Sequence, residues 1–254
     1  MNATRIVQRN SLVYWRGWRS SILLSVLTPV LFLSAMGVGL GTLVEGGGPE
    51  TFAGAGYLAF FSTGMLAASC MQSGAFSATY PLMNKIIWRK SYEALLATPL
   101  RVTDVVIGEL AWIGIMLSLQ ATLFFLVMTV FGIPESPLAV LAIPFSVLLG
   151  LAFSSVVMAW TATLENGDPY NWLFRFVITP LFLLSGTFFP IDSLPGWAVA
   201  IANLTPLYHG IELVRQASIY EFTDAALWHL GYLVALLTLG VGVGIRTFTR
   251  RLVP

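Results

Sequence analysis

SLPGWAVAIANLTPLYHGI, residues 193–211, decides the fold, because these 19 residues carry no formal charge and either cross a membrane or do not. A helix needs about 20 apolar residues to cross the roughly 30 Å of hydrocarbon. Pro195, Gly196, Asn203, Pro206, His209 and Gly210 cut the stretch into pieces of about ten residues, which is too short. It reads instead as two short helices, Pro195 to Asn203 and Pro206 to Ser218, that re-enter or cap the outer leaflet. Glu212 and Arg215 then stand one turn apart as a local pair. Asn203-Leu204-Thr205 matches a glycosylation acceptor over three residues only and reads as coincidence.

The rest of the chain needs a membrane. Of 254 residues, 57% are hydrophobic and 10% charged, with a mean hydropathy of +0.81, whereas a soluble domain is about a quarter charged. The reading is an all-α membrane protein, one domain over 1–254, with six transmembrane helices at 20–44, 53–76, 105–131, 138–163, 172–189 and 225–246. Pro180 predicts a kink in the fifth. Charge tests the count: with both ends inside, 12 of the 13 Lys and Arg residues are cytoplasmic, and only Arg215 is outside. Making 193–211 a seventh span would put Arg246, Arg250 and Arg251 outside. A signal peptide is the rival reading of the N-terminus, but the uncharged run at 20–44 is too long for one, and no small-x-small cleavage site follows. The lone Cys70 excludes an intrachain disulfide and reads as a small packing residue.

Residues 1–19 mix Arg5, Arg9, Arg16 and Arg19 with Tyr14, Trp15 and Trp18, as expected of an interfacial amphipathic helix. KIIWRKSYEALLATPLRVTD, residues 85–104, is the longest polar interruption on the basic side. Trp88, Tyr92, Leu95 and Leu96 recur at helical spacing, Arg89, Lys90 and Glu93 take other faces, and Thr98-Pro99 stops a helix of about three turns. Such a helix suits docking of another protein, and equally a connector lying on anionic lipid. Ser62, Ser69, Gln72 and Ser73 fall near one face of the second span and point either at neighbouring helices or at a substrate. Glu109 sits just past the first turn of the third span, within reach of an arginine of the N-terminal helix, as a structural pair or a coupling residue.

Several chemistries have no motif here. No Gly-x-x-x-x-Gly-Lys-Ser/Thr cradles ATP phosphates, and neither His-Glu-x-x-His nor Gly-x-Ser-x-Gly occurs. His209 and His229 are 20 residues apart without a surrounding motif. Asn166-Gly167-Asp168 has Glu165 where an intramembrane aspartyl protease pattern has glycine.

The six spans, the amphipathic first cytoplasmic loop and the broken outer segment together resemble the ABC-2 family of exporter permeases. The resemblance covers nearly the whole chain and is densest over 57–112, especially SYEALLATPL and VVIGELAW, and over 183–215. The Leu-Ser-Gly-x-x-Phe-Pro-x-x-x-Leu-Pro core at 184–195 is the more specific block. The resemblance implies that 85–99 is a coupling helix seated in a separate ATPase, with Arg89, Lys90, Tyr92, Glu93 and Leu96 as contacts. It implies two ATPase copies carrying ATP and Mg, a second six-span subunit in a homodimer or heterodimer, and no cofactor on this chain. Ser62, Ser69, Gln72 and Ser73, with the inner end of the fifth span around Ser185, Thr187, Phe188 and Phe189, would line the path between subunits. Glu109 and Arg16 would couple or brace the inner side. The implied protein is a subunit, not itself an enzyme, exporting an amphiphile (glycolipid, lipo-oligosaccharide or lipophilic drug) across a bacterial plasma membrane, with both termini cytoplasmic. The rivals are a cofactor-free membrane enzyme acting on lipids and a passive channel or structural subunit.

Overall fold

Where prolines, glycines and caps fall along the chain, its helices start and stop. The computed structural model describes residues 3–15, 18–35, 56–134, 136–193, 195–219 and 221–253. Arg16 and the expected turn around Glu45 and Glu50 lie outside the described residues. Among the described residues every regular element is helical. They begin with α1 (Ala3–Tyr14), α2 (Trp18–Ser34) and α3 (Tyr57–Ser77). A short α4 (Tyr80–Met83) runs into a π turn at Asn84–Trp88 and is followed by α5 (Ser91–Leu96) and α6 (Val102–Val130). A 3-10 turn at Pro137–Leu141 leads into α7 (Ala142–Thr161). α8 (Pro169–Trp172), a π turn at Leu173–Ile178 and α9 (Thr179–Leu184) then follow one another directly. The chain ends in α10 (Gly196–Asn203), α11 (Pro206–Ser218) and α12 (Ala225–Leu252).

Among the described residues, three helices are long and apolar enough to cross a membrane: Val102–Val130, Pro137–Thr161 and Ala225–Leu252. The stretch at 193–211 divides as its prolines demand, α10 ending at Asn203 and α11 opening on Pro206 behind Thr205, whose hydroxyl accepts from Tyr208 N–H at 3.4 Å.

Two expected helices differ. The helix expected at 85–99 is broken, because the π turn shifts the phase before Arg89 and Lys90 adopts a left-handed backbone with φ of 45°. Trp88 and Tyr92 therefore do not share a face: Trp88 is exposed and Tyr92 is buried. The helix expected at 172–189 begins at Pro169 and stops at Leu184. Pro180 has no N–H to continue the ladder, and in its neighbourhood the Thr179 hydroxyl donates to Phe174 O at 2.8 Å.

The core is built around α7, which packs against α3, α6, α11 and α12. Helices in lipid gain little from hydrophobic burial against each other, so close backbone approach and dispersion hold them. A Cβ on Gly74 of α3 would run into Gly150 O of α7, and one on Gly150 would lie 2.7 Å from Cys70 O. Buried Cys70 is part of this contact, as its size suggested. A Cβ on Gly240 of α12 would meet Ser155 on the other flank of α7.

Gly74→Ala is therefore expected to destabilise the chain by about 1–3 kcal/mol, since backbone on both sides must separate. Gly242→Ala, where a Cβ meets nothing within 4 Å, should be neutral or stabilising by up to about 1 kcal/mol. Denaturant unfolding of the two variants in detergent checks this, and equal losses would mean that the Gly74 contact is not a constraint.

Candidate functional site

Polar groups from three elements converge on one carboxylate at the basic end of the bundle. Glu109, two turns into α6, is buried, and its Oε2 accepts from Lys85 Nζ at 2.6 Å and from Asn10 Nδ2 at 3.1 Å. Lys85 also donates to Asn10 Oδ1 at 3.3 Å, closing a triangle between α1, the π turn and α6. Gly108 makes room for α1, because a Cβ there would lie 2.8 Å from Ile6 Cβ. Tyr14 and Trp112 extend the same contact edge to face at 5.8 Å. The expected partner of Glu109 was an arginine of the N-terminal helix. The partner is Lys85, turned toward α6 in the π turn, and α1 contributes Asn10 instead.

The loop that follows is pinned from inside. Tyr92 is fully buried, with its ring 6.1 Å from that of Phe248 near the end of α12. Burial, and then the Glu109 carboxylate beside it, push the Tyr92 phenol well above its ordinary pKa. Tyr92, expected as an outward contact, is thus a support of the loop. Arg89, Lys90 and Glu93 are exposed and Leu96 is partly so. Lys90 and Glu93 stand 3.8 Å apart, an exposed pair that contributes little stability and leaves both charges available. A second tie holds the neighbouring turn: Tyr80 Oη donates to Gly167 O at 3.2 Å, and Thr161 Oγ1 donates to Ala78 O at 2.7 Å.

The residues expected along a path separate into three groups. Ser62 is buried and donates to Ala59 O of its own helix. Ser69, Gln72 and Ser73 line a cavity of about 350 Å³ with residues of α2, α6 and α9, including Gln120 of α6, which the linear pattern did not single out. Ser185, Thr187, Phe188 and Phe189, expected at the inner end of the fifth span, lie at the opposite end, beyond Leu184 and far from Trp172 along the helix. There the Ser185 and Thr205 hydroxyls share a hydrogen bond of 3.1 Å, Thr187 is buried against Gly64, and Phe188 packs 5.7 Å from Phe61. Phe189 is exposed.

Arg215 locks this opposite end. Its Nη2 donates to Gly186 O at 2.5 Å, its Nη1 lies 3.5 Å from Glu212, and its guanidinium stands 3.6 Å above the Phe60 ring. The expected pair with Glu212 is present, but the residue is buried and joins α11, α3 and the bend after α9. His209 and His229, distant in sequence, meet at 2.6 Å between ring nitrogens because α11 and α12 form a hairpin. Burial, then His229, push His209 down to about 4, so it is neutral near pH 7. No cluster of three or more His, Cys, Asp or Glu side chains able to hold a metal occurs among the described residues.

The described residues thus form a helical bundle with a charged, internally braced loop at its basic end. Residues 2–219 match the ABC-2 type transporter family, and the chain belongs to it. It is therefore a membrane-embedded transport component of an ABC system. Among its relatives it is similar to nodulation protein J of Rhizobium leguminosarum bv. viciae, 32% identical over 99% of this chain and 95% of that protein. It is also similar to nodulation protein J of Rhizobium meliloti (strain 1021), 31% identical over 100% of this chain and 95% of the relative. That of Neorhizobium galegae is 31% identical over 99% of this chain and 94% of the relative.

Removing one member of a buried ion pair strands the other. Glu109→Ala is expected to destabilise the chain by about 3 kcal/mol, the low end for such a loss, because Lys85 keeps 23% of its side chain exposed. Lys85→Met combined with Glu109→Leu should return to within about 1 kcal/mol of the original stability. A double variant that loses the sum of the two single losses would show that the pair is not coupled.

Proposed function

We propose that the chain is the permease subunit of a bacterial ATP-driven exporter of an amphiphilic substrate. The observation that carries this is the loop at 85–96, fastened inside by Lys85–Glu109 and Tyr92 while Arg89, Lys90 and Glu93 face outward. A rigid foot with outward charges suits a partner that pushes on the bundle. No P-loop occurs in the sequence, and in this reading ATP and Mg²⁺ are held by a separate ATPase, in two copies.

In this reading six spans cross the plasma membrane with both termini cytoplasmic, which puts the basic end inside. The spans at 20–44, 53–76 and 172–189 join the three longer helices, with α1 on the inner surface and α10–α11 in the outer leaflet. Two such subunits pair as a homodimer or heterodimer. Approach of the two ATPases moves the foot, and the Glu109 triangle carries that motion into α6 and α1 together. Ser69, Gln72 and Ser73 face the substrate, while exposed Phe189 stands at its exit at the outer end with Ser185, Thr187 and Phe188 packed behind it. Glycolipids, lipo-oligosaccharides and lipophilic drugs all fit a path of small polar and aromatic side chains.

Reversing the outward charges with Arg89→Glu and Lys90→Glu should cut co-purification of the ATPase encoded beside this chain at least tenfold and abolish transport. Because both residues are exposed, stability should stay within about 0.5 kcal/mol. Normal co-purification and transport by that variant would reduce the loop to a connector.

The topology has its own test in a Cys70→Ser background. Asp224→Cys should react with an impermeant thiol reagent added outside intact cells, and Arg250→Cys should not. External labelling of the Arg250→Cys protein would break the six-span arrangement.

A further inference from the structure

The cavity between α2, α3, α6 and α9 holds two side chains that lack a partner. Thr28, Gln72, Ser73 and Gln120 form its polar wall, and Phe124 and Phe182 stand on its apolar side. Among the described residues, none that lines it is charged. Gln120 lies eleven residues beyond Glu109 on α6, about 16 Å along the axis, so the cavity sits well inside the bundle. A serine in a membrane helix can return its hydroxyl to its own backbone, as Ser69 does to Leu66 O at 2.9 Å. A glutamine amide carries two donors and an acceptor on a longer arm. Among the described residues, the Gln72 and Gln120 amides make no hydrogen bond.

Two uncommitted amides at that depth must meet water or a ligand. Together they offer donors and acceptors without net charge. They match a group that is itself both donor and acceptor, such as a hydroxyl or an amide. A phosphate, sulfate or ammonium entering the same space would shed its hydration and find no countercharge. The two phenyl rings suit the apolar face of a ring or the start of a chain.

We propose that this cavity binds the uncharged, hydroxyl- or amide-bearing head of an amphiphile within a single subunit, Gln72 and Gln120 contacting the head directly. The proposal rests on the transport reading for the presence of an amphiphile, and narrows its class to neutral heads.

The test uses the full chain in lipid nanodiscs and three photoreactive probes with one alkyl tail: a glucoside, a phosphocholine and a sulfate. The glucoside should label peptides of α3 and α6 at least fivefold more than either charged head. Gln72→Leu with Gln120→Leu should lose at least fivefold of that labelling with no fall in unfolding temperature. If the double variant melts early, Gln120→Leu alone is read in its place, with the same expectation. Equal labelling by all three heads overturns the proposal, as does undiminished labelling of a folded variant. ATP-driven movement of the glucoside with the ATPase present separates the two readings. Labelling that depends on both glutamines without such movement keeps the site and removes the transport assignment. Movement that persists in the double variant keeps transport and removes the site.

Discussion

A carboxylate buried in a membrane helix cannot stand alone, and the arrangement at the basic end follows from how Glu109 Oε2 is paired. Desolvating one such ion costs several kcal/mol, about the whole net stability of a domain. Lys85 supplies the opposite charge and Asn10 fills a remaining acceptor position. Because these partners come from different elements, one carboxylate oxygen sets the place of α1, the π turn and α6 together. The π turn is the cost of bringing Lys85 round. The left-handed Lys90 restores direction for α5, and Tyr92 then falls inward against Phe248.

The middle of the bundle obeys a different constraint. Between α3 and α7, and between α7 and α12, glycines and serines let backbones approach where larger side chains would hold them apart. α7 is consequently buried on several flanks and gives the other helices a fixed reference. The two ends are then tied separately, by Glu109 and Lys85 at one and by Arg215 at the other. Arg215 bridges α11, α3 and the bend after α9, so a segment too short to span is still held to the bundle.

The broken helix at 193–211 was legible because prolines and glycines act locally, and α10 and α11 stop and start where those residues stand. The run of small polar residues on α3 was legible as a stripe, but its division was not. Ser62 turns into its own backbone, while Gln72 meets a cavity completed by Gln120, nearly fifty residues further on. The two histidines carried no motif, because their contact is made by a hairpin of helices rather than by spacing.

By itself, then, the sequence determined membrane residence, helical class, the break at 193–211 and the family, since each rests on composition, local backbone preference or a contiguous motif. Tertiary structure alone decided which cation answers Glu109, which face of the 85–99 stretch is presented, and that Arg215 is a buried joint. Helical periodicity could not reach these. A π turn and one left-handed residue rotate everything after them, and a charge chooses its partner by three-dimensional proximity and desolvation, not by distance along the chain.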